Sequence, residues 1–269
     1  MLKIVSKIYH FILGRKFFYR LNNFIYYLSL KNIGVLNYEN NNVSGETYFL
    51  KKYVSKIKNG VIFDVGANVG DYSKLLRELN KEVEIYSFEP HPITFKKLLE
   101  NTKRLNIKTY NLGVGSKDGI LRLYDYADSD GSSHASLYRE VIEEIHKGKV
   151  IEHEVKIIDL DKFVVEHGID RVNLLKIDTE RNELNILKGF EKFISQNKVN
   201  MIHFEFNEMN TISRVFFKDF WQFLPNYNFY RMLKDGLMPI KNYNPVFCEI
   251  FGYQNIVAIL KDKDESEDN

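Results

Sequence analysis

The stretch Asp64-Val65-Gly66-Ala67-Asn68-Val69-Gly70 follows a short apolar run and precedes a segment of helical spacing over residues 71–79. Glycines between a strand and a helix let the backbone approach a ligand closely. The free N–H groups of the helix N-terminus favour an anionic ligand group. The spacing differs from both the dinucleotide fingerprint G-x-G-x-x-G and the P-loop. The stretch therefore predicts a strand–turn–helix unit that binds another kind of ligand.

The residue types of this turn favour one ligand class. A carboxylate at Asp64 suits a cationic group, and the helix-end amides suit a carboxylate. The amino acid end of S-adenosylmethionine carries both groups. A purely structural turn would need Gly66 but not Asp64. Candidate cofactor-binding residues at the turn are Asp64, Gly66, Asn68, Gly70 and Ser73.

Strands and helices are predicted to alternate around this turn. Predicted strands cover residues 61–66, 84–89, 107–114, 119–126, 153–158, 172–178, 199–206, 227–233 and 255–260. Predicted helices cover residues 46–58, 71–79, 92–104, 183–190 and 213–224. Repeated strand–helix units of this length indicate an α/β fold with a mostly parallel, doubly wound sheet. The last two strands are expected to pair in antiparallel fashion.

Two further motifs place acidic residues where predicted strands end. Phe88-Glu89-Pro90 ends the second strand, where an acid can accept hydrogen bonds from both hydroxyls of a ribose. Lys176-Ile177-Asp178-Thr179-Glu180 ends a buried strand, at the sheet edge where α/β proteins bind ligands. Asp178 and Glu180 are therefore the first candidates for a catalytic base.

These three motifs, in this order, resemble the FkbM-type methyltransferases. Supporting matches are Asn111-Leu112-Gly113-Val114-Gly115 and Leu187-Lys188-Gly189, and the resemblance covers about residues 46–260. It implies a class I methyltransferase (Rossmann-like) sheet of seven strands and S-adenosyl-L-methionine as cofactor. It also implies O-methylation of a hydroxyl on a sugar, a surface-glycan precursor or another small acceptor. The cofactor site it implies adds Glu89, Pro90, Gly113, Val114 and Asp178 to the turn.

The chain departs from the family pattern at Arg181, where a glycine usually follows the Asp-x-Glu triplet. Arginine lacks the backbone freedom of glycine at positive φ. Either the turn is unstrained or Asn182 takes the special conformation. Arg181 could also reach a phosphate or an acidic sugar in the acceptor.

Methyl transfer is an in-line displacement, so the protein mostly aligns donor and acceptor and assists loss of the hydroxyl proton. Further catalytic candidates are Glu205, near the end of the strand predicted over residues 199–206, and His134, in a small-residue loop. A divalent metal held by Asp178, Glu180 and Glu205 is an alternative. No dense His/Cys ligand set supports it, and no metal site is predicted. Rival functions are a nicotinamide oxidoreductase, a cofactor-binding protein without turnover, and a methyltransferase acting on a non-sugar small molecule.

The composition indicates the cellular compartment and the classes of partner to be expected. The net charge of +2 does not indicate a nucleic-acid-binding protein, and the single cysteine, Cys248, favours a reducing compartment. No apolar run is long enough to span a membrane, and no secretory signal is evident. A cytoplasmic location is expected, with a charged, disordered tail over residues 261–269 and a catalytic domain over residues 46–260.

Residues 1–45 are expected to form a helical extension with a basic, aromatic character. Six basic residues and no acidic residue precede Glu39. One interpretation is that these helices pack on the main domain. The other is a weak peripheral contact of residues 1–35 with an anionic membrane at its inner face, or with a lipid-linked acceptor. The basic residues are Lys3, Lys7, Arg15, Lys16, Arg20 and Lys31.

Overall fold

The computed structural model describes residues 2–126, 150–179 and 182–263. The strands of this part of the chain are β1 (Val61–Val65), β2 (Glu84–Phe88), β3 (Lys108–Tyr110), β4 (Gly113–Val114), β5 (Gly119–Tyr126), β6 (Val150–Ile158), β7 (Val172–Ile177), β8 (Val199–Phe206), β9 (Tyr227–Leu233), β10 (Gly236–Ile240) and β11 (Gln254–Leu260). Its α-helices are α1 (Leu2–Leu13), α2 (Tyr19–Asn32), α3 (Asn41–Ser44), α4 (Glu46–Phe49), α5 (Asp71–Leu79), α6 (Pro92–Thr102), α7 (Leu160–Glu166), α8 (Glu183–Lys188), α9 (Glu191–Ser195), α10 (Asn210–Ser213), α11 (Phe217–Phe223) and α12 (Pro245–Cys248).

The main sheet has the strand order β10-β9-β11-β8-β7-β1-β2-β3. The five strands from β8 to β3 are mutually parallel, and β11 runs antiparallel between β8 and β9. The predicted class I methyltransferase fold is therefore confirmed, including the antiparallel pairing of β9 with β11. Because β1 and β7 lie side by side at the centre, the glycine turn and the acidic motif meet at one edge of the sheet.

The main sheet has eight strands, one more than the resemblance implies. The added strand, β10, forms a hairpin with β9 at the edge of the sheet. Pro239 lies within β10 and opposes Tyr230. Proline interrupts a strand pattern in sequence but is tolerated at an edge, where its missing N–H removes no bond to a neighbour. This is why β10 does not stand out in the sequence.

The single strand predicted over residues 107–114 is wrong, because two strands of different sheets occupy it. β3 pairs with β2, whereas β4 pairs with β6 in a second sheet of order β4-β6-β5. Between them the Asn111 side chain donates hydrogen bonds to the carbonyl oxygens of Glu89 (2.9 Å) and Pro90 (2.9 Å). These bonds fix the chain where it leaves the main sheet, so β4 lies beside the end of β2.

Both faces of the main sheet are buried, as a doubly wound sheet requires. One face packs a large aromatic cluster that includes Phe63, Phe88, Phe163 and Phe190. The other face packs against the region of α4 and α5 and includes Tyr72. Successive residues of a strand point to opposite faces, so the short apolar strands of this chain supply both cores at once.

Helix boundaries follow the prediction most closely at α5, which spans the predicted residues 71–79. The helix predicted over 46–58 is α4 followed by a wider π-helical turn, Leu50–Val54. The segments predicted as single helices over 183–190 and 213–224 are shorter helices, α8 and α11. The ends of these helices are set by turns rather than by the apolar spacing. The helices predicted from that spacing are therefore too long.

The N-terminal extension is helical, as predicted, with α1 and α2 as its two long helices. The Tyr9 hydroxyl of α1 donates to Asn22 Oδ1 of α2 at 2.7 Å, which ties the two helices together. Large apolar side chains of both helices are exposed, and Phe17 between them is 87% exposed. Within the described part of the chain, no helix has the length and apolar character needed to cross a membrane.

Candidate active site

The turn after β1 folds back against its two neighbouring strands. The backbone N–H groups of Gly66 and Ala67 donate to the Phe88 carbonyl oxygen at 3.0 and 2.9 Å. Gly66 has φ +79°, and a Cβ atom there would lie 1.8 Å from the carbonyl oxygen of Asp178. No side chain fits at this contact between β1 and β7. Gly66 is therefore required by the close approach of backbone to backbone.

Glu89 follows β2 and is held by the same turn. Its Oε2 accepts from the Asn68 N–H at 3.0 Å, and its Oε1 accepts from the His91 N–H at 2.8 Å. The residue is only 7% exposed, and this burial raises the pKa of its carboxyl to about 7. A carboxylate with both oxygens fixed at a cleft wall has the chemistry needed to accept the two hydroxyls of a ribose.

A cleft at the carboxyl edge of the sheet brings together most of the predicted cofactor residues. Those that line it are Gly66, Asn68, Glu89, Pro90, Gly113, Val114 and Asp178. Three predicted residues, Asp64, Gly70 and Ser73, do not line it. The roles of all ten as cofactor ligands remain predictions.

The same cleft has an apolar wall that was not predicted from the sequence. Leu112, Leu123, Val155 and Ile157 line it, and three of them come from the small sheet. Thr94 lines it too, with a buried hydroxyl that has no hydrogen-bond partner in the described part of the chain. The alternation of β5 and β6 indicated strands, but only the pairing of β4 with β6 brings their inner residues to the cleft.

Asp64 is buried beneath the turn rather than presented on the cleft. Ser73 Oγ donates to its Oδ2 at 2.5 Å, and its Oδ1 lies 3.7 Å from Lys176 Nζ. Burial is the main cause that raises the pKa of this carboxyl, and the charge of Lys176 opposes the shift. Asp64 thus joins the first helical turn of α5 to the ammonium of β7.

Lys176 links Asp64 to the acidic motif, a role that was not predicted from the sequence. Its Nζ donates to Asp178 Oδ2 at 3.0 Å and lies 4.8 Å from the centre of the Tyr72 ring. Burial alone would lower the pKa of this ammonium, but the nearby carboxylates hold it above its ordinary value. The side chain therefore stays charged and fixes one oxygen of Asp178.

Strand register sets Asp178 and Glu205 side by side. The pairing of β7 with β8 reaches Ile177↔Phe204, so Asp178 and Glu205 come next at the ends of neighbouring strands. Neighbouring strands lie about 4.8 Å apart. The strand order places Glu205 on the far side of Asp178 from Glu89. Glu205 does not line the cofactor cleft.

Two catalytic candidates, His134 and Glu180, lie outside the described residues, as does Arg181. Asn182 has φ −99°, so it does not adopt the left-handed conformation considered for it, and that alternative is wrong. Its side chain instead donates to the Val114 carbonyl oxygen at 2.9 Å. Asn182 therefore ties the start of α8 to β4. Among the described residues, no group of three or more His, Cys, Asp or Glu residues could hold a metal ion.

The cleft fits S-adenosylmethionine in the chemistry of its walls. An apolar wall, an unpartnered hydroxyl and the Glu89 carboxylate suit a nucleoside, and Asp178 lines the same cleft. The profile of the FkbM methyltransferase domain matches residues 64–230, a segment that includes the glycine turn and both acidic motifs. The chain belongs to the FkbM methyltransferase family. Its fold is that of the class I methyltransferases, whose cofactor is S-adenosyl-L-methionine.

Relatives of this FkbM methyltransferase show modest identity. It is 26% identical over 168 residues to the 31-O-demethyl-FK506 methyltransferase FkbM of Streptomyces tacrolimicus, covering 53% of this chain and 64% of that protein. It is 27% identical over 134 residues to the hexuronic acid methyltransferase AglP of Haloferax volcanii, covering 49% and 50%. The matched segment thus spans less than two thirds of either relative. A precorrin-6y C5,15-methyltransferase structure from Geobacter metallireducens aligns with TM-score 0.43 and 10% identity, covering 79% and 86%.

Proposed function

We propose that this FkbM methyltransferase is an O-methyltransferase that acts on a hydroxyl of a sugar or surface-glycan precursor. The observation that carries the proposal is the position of Asp178, which lines the cofactor cleft and whose Oδ2 accepts a hydrogen bond from Lys176. A relative named for hexuronic acid supports a sugar acceptor. A relative named for 31-O-demethyl-FK506 supports the alternative of a non-sugar small molecule.

The cofactor supplies an activated methyl group, so the chain must position the acceptor oxygen and assist loss of its proton. A hydroxyl is a poor nucleophile at neutral pH, and a general base contributes about 10²–10⁴-fold. Asp178 is the base we favour, since it lines the cleft and one of its carboxylate oxygens is fixed by Lys176. Glu180, Glu205 and His134 are the remaining candidates.

Radiolabelled methyl transfer tests the proposal, with nucleotide sugars and lipid-linked sugars as acceptors. Asp178→Asn should lower turnover about 10²-fold or more while binding of S-adenosylhomocysteine stays within a few-fold of wild type. Asp170→Asn is the matched control, because Asp170 is exposed just before the other end of β7. Normal turnover by Asp178→Asn would transfer the base role to Glu180, Glu205 or His134. No transfer to any sugar would refute the proposed acceptor class.

We also propose that residues 1–35 contact an anionic membrane weakly and bring the enzyme to a lipid-linked acceptor at the cytoplasmic face. The exposed apolar side chains of α1 and α2 sit among six basic residues and no acidic residue. Each Lys or Arg near an anionic bilayer is worth about 1 kcal/mol, and aromatic rings suit the headgroup region. The division into an extension over residues 1–45, a catalytic domain over 46–260 and a charged tail is part of the same proposal.

Co-sedimentation with phosphatidylserine-containing vesicles tests this contact. The full chain should pellet at low salt and remain in the supernatant at high salt, since screening weakens exposed charges. Phe17→Ser should reduce binding, whereas Val165→Ser, which changes a residue 79% exposed on α7, should not. A chain that starts near Asn40 should not pellet. Equal pelleting of all four proteins would show that the extension has no membrane role.

A further inference from the structure

A line of hydrogen-bonded polar side chains runs from α5 through the buried face of the sheet to the strand end beside Glu205. The Tyr72 hydroxyl lies 3.2 Å from His203 Nδ1, and His203 Nε2 lies 3.0 Å from Asn255 Oδ1. Asn255 Nδ2 then donates to the Tyr253 hydroxyl at 3.2 Å. Tyr72, His203 and Asn255 are buried, and Tyr253 is partly exposed.

The proton positions along this line follow from the hydrogen bond that Asn255 donates to Tyr253. Asn255 donates through Nδ2 to Tyr253, so its Oδ1 faces His203 and must accept. Only an N–H at His203 Nε2 can make that bond, which leaves Nδ1 to accept from the Tyr72 hydroxyl. Burial lowers the pKa of His203 to about 4, so the ring is neutral at physiological pH. Every member therefore donates toward Tyr253.

The far end of this line lies at the same edge of the sheet as Asp178. Asn255 of β11 is the register partner of Glu205, and Tyr253 immediately precedes β11. Asp178 ends the next strand on the other side of Glu205. The order across the sheet edge is therefore the cofactor cleft, Asp178, Glu205 and then the Tyr253–Asn255 pair. An acceptor bound beside Asp178 on the side away from the cofactor cleft would therefore lie next to Glu205 and the Tyr253–Asn255 pair.

Burying the polar side chains of Tyr72, His203 and Asn255 costs free energy, because each must be desolvated and then given a hydrogen-bond partner. His203 pairs in register with Val257, a buried apolar residue of the core. Because the Tyr253 oxygen accepts from Asn255, its own proton remains to be donated elsewhere. Burial, followed by the charges of Glu205, Glu46 and Asp178, raises the pKa of Tyr253, so the phenol stays a donor rather than a base.

We propose that the Tyr253 hydroxyl binds the acceptor by donating a hydrogen bond to one of its oxygens, and that His203 and Asn255 are positioning residues that orient this hydroxyl. The inference rests on the proposed function, since it takes the acceptor to be a hydroxylated sugar. Its chemistry is specific: a donor at this point recognises an ether or hydroxyl oxygen beside the one that is methylated. Tyr253 thus acts in acceptor affinity rather than in proton removal.

The hydrogen-bond direction has a spectroscopic signature that does not depend on turnover. In protein labelled with ¹⁵N-histidine, the His203 ring, assigned by its loss in His203→Gln, should show a neutral ring protonated at Nε2 between about pH 6 and 8. Asn255→Ala should remove the acceptor at Nε2 and leave a mixture of the two tautomers. A His203 ring protonated at Nδ1 in the wild type would reverse the line and overturn the inference.

Acceptor binding is tested with UDP-glucose as the probe. We expect Tyr253→Phe to weaken binding of UDP-glucose to the S-adenosylhomocysteine-loaded protein about 3- to 10-fold, the range for one lost neutral hydrogen bond. In turnover, KM for UDP-glucose should rise by the same factor while kcat changes less than twofold. Tyr38→Phe is the matched control, because Tyr38 packs edge-on to Tyr253 at 6.0 Å and is mostly exposed.

The outcomes separate this inference from the function on which it rests. Equal UDP-glucose affinities of Tyr253→Phe and Tyr38→Phe overturn the role of Tyr253, as does a fall in kcat at unchanged KM. If UDP-glucose binding depends on Tyr253 but the wild type transfers no methyl group, the proposed function fails and the acceptor contact stands. Binding of S-adenosylhomocysteine should stay within twofold in both variants, which reports that the cofactor cleft is intact.

Discussion

Removing the charge of Glu89 should weaken cofactor binding and abolish a specific pH dependence. The wild-type carboxylate accepts the backbone N–H groups of Asn68 and His91, one on each oxygen. In Glu89→Gln one oxygen becomes an NH₂ group, which cannot accept from a backbone donor. The variant therefore loses both a charged acceptor for the ribose and one internal hydrogen bond. We expect affinity for S-adenosylhomocysteine to fall by about 1–3 kcal/mol, or about 5- to 150-fold.

The pH dependence follows from the pKa of Glu89, which burial raises to about 7. The ionised carboxylate accepts hydroxyl donors, whereas the protonated form occupies one oxygen with its own proton. Affinity is therefore full above pH 7 and is lost as pH falls through 7. If only the ionised form binds, the apparent affinity falls about tenfold between pH 8 and pH 6. In Glu89→Gln this component should be absent, so the two proteins should differ less at pH 6 than at pH 8.

Calorimetric titration with S-adenosylhomocysteine at pH 6, 7 and 8 measures both effects. Glu100→Gln, which removes an exposed carboxylate from α6, is the matched control and should titrate like the wild type. Thermal unfolding of the free proteins monitors the cost of the lost internal hydrogen bond, about 1–3 kcal/mol. A ratio of wild-type to Glu89→Gln affinity that stays constant from pH 6 to pH 8 would refute the titration of Glu89. Equal affinities would remove Glu89 from the cofactor site.

Three further outcomes follow from the turn and the ion pairs beneath it. Gly66→Ala should abolish cofactor binding and lower the melting temperature, because the added Cβ would lie 1.8 Å from the carbonyl oxygen of Asp178. Gly119→Ala is the control and should melt like the wild type, because Gly119 has open space around it. Lys176→Met should lower the free energy of unfolding in urea by about 3–5 kcal/mol, since it leaves the buried carboxylate of Asp64 without its cation; a loss below 1 kcal/mol would contradict this pairing. The wild type should give no calorimetric signal with NAD, and tight NAD binding would contradict the cofactor assignment.

The parts of the site that sequence predicted best are those set by residues close together in the chain. The glycine turn and α5 follow from the glycine spacing and the apolar repeat, which act over a few residues. Glu89 follows from its place at the end of a strand. At Asp64 the sequence predicted a carboxylate for a cationic group of the cofactor and not the pairing with Lys176, because the two residues are brought together only by the pairing of β1 with β7.

What the sequence by itself determined is the class of the fold and the edge of the sheet that carries the candidate site. Short apolar strands that end at glycine or acidic residues are recognisable from local sequence. The carboxyl ends of parallel strands lie at one edge of the sheet whatever the strand order, so this edge can be predicted from sequence. Only the tertiary structure decided that β4 joins a second sheet and that His203 is a buried, neutral ring between Tyr72 and Asn255. The reason is physical: hydrogen-bond direction, burial and the resulting pKa depend on partners 52 and 131 residues away in the chain, which no local pattern encodes.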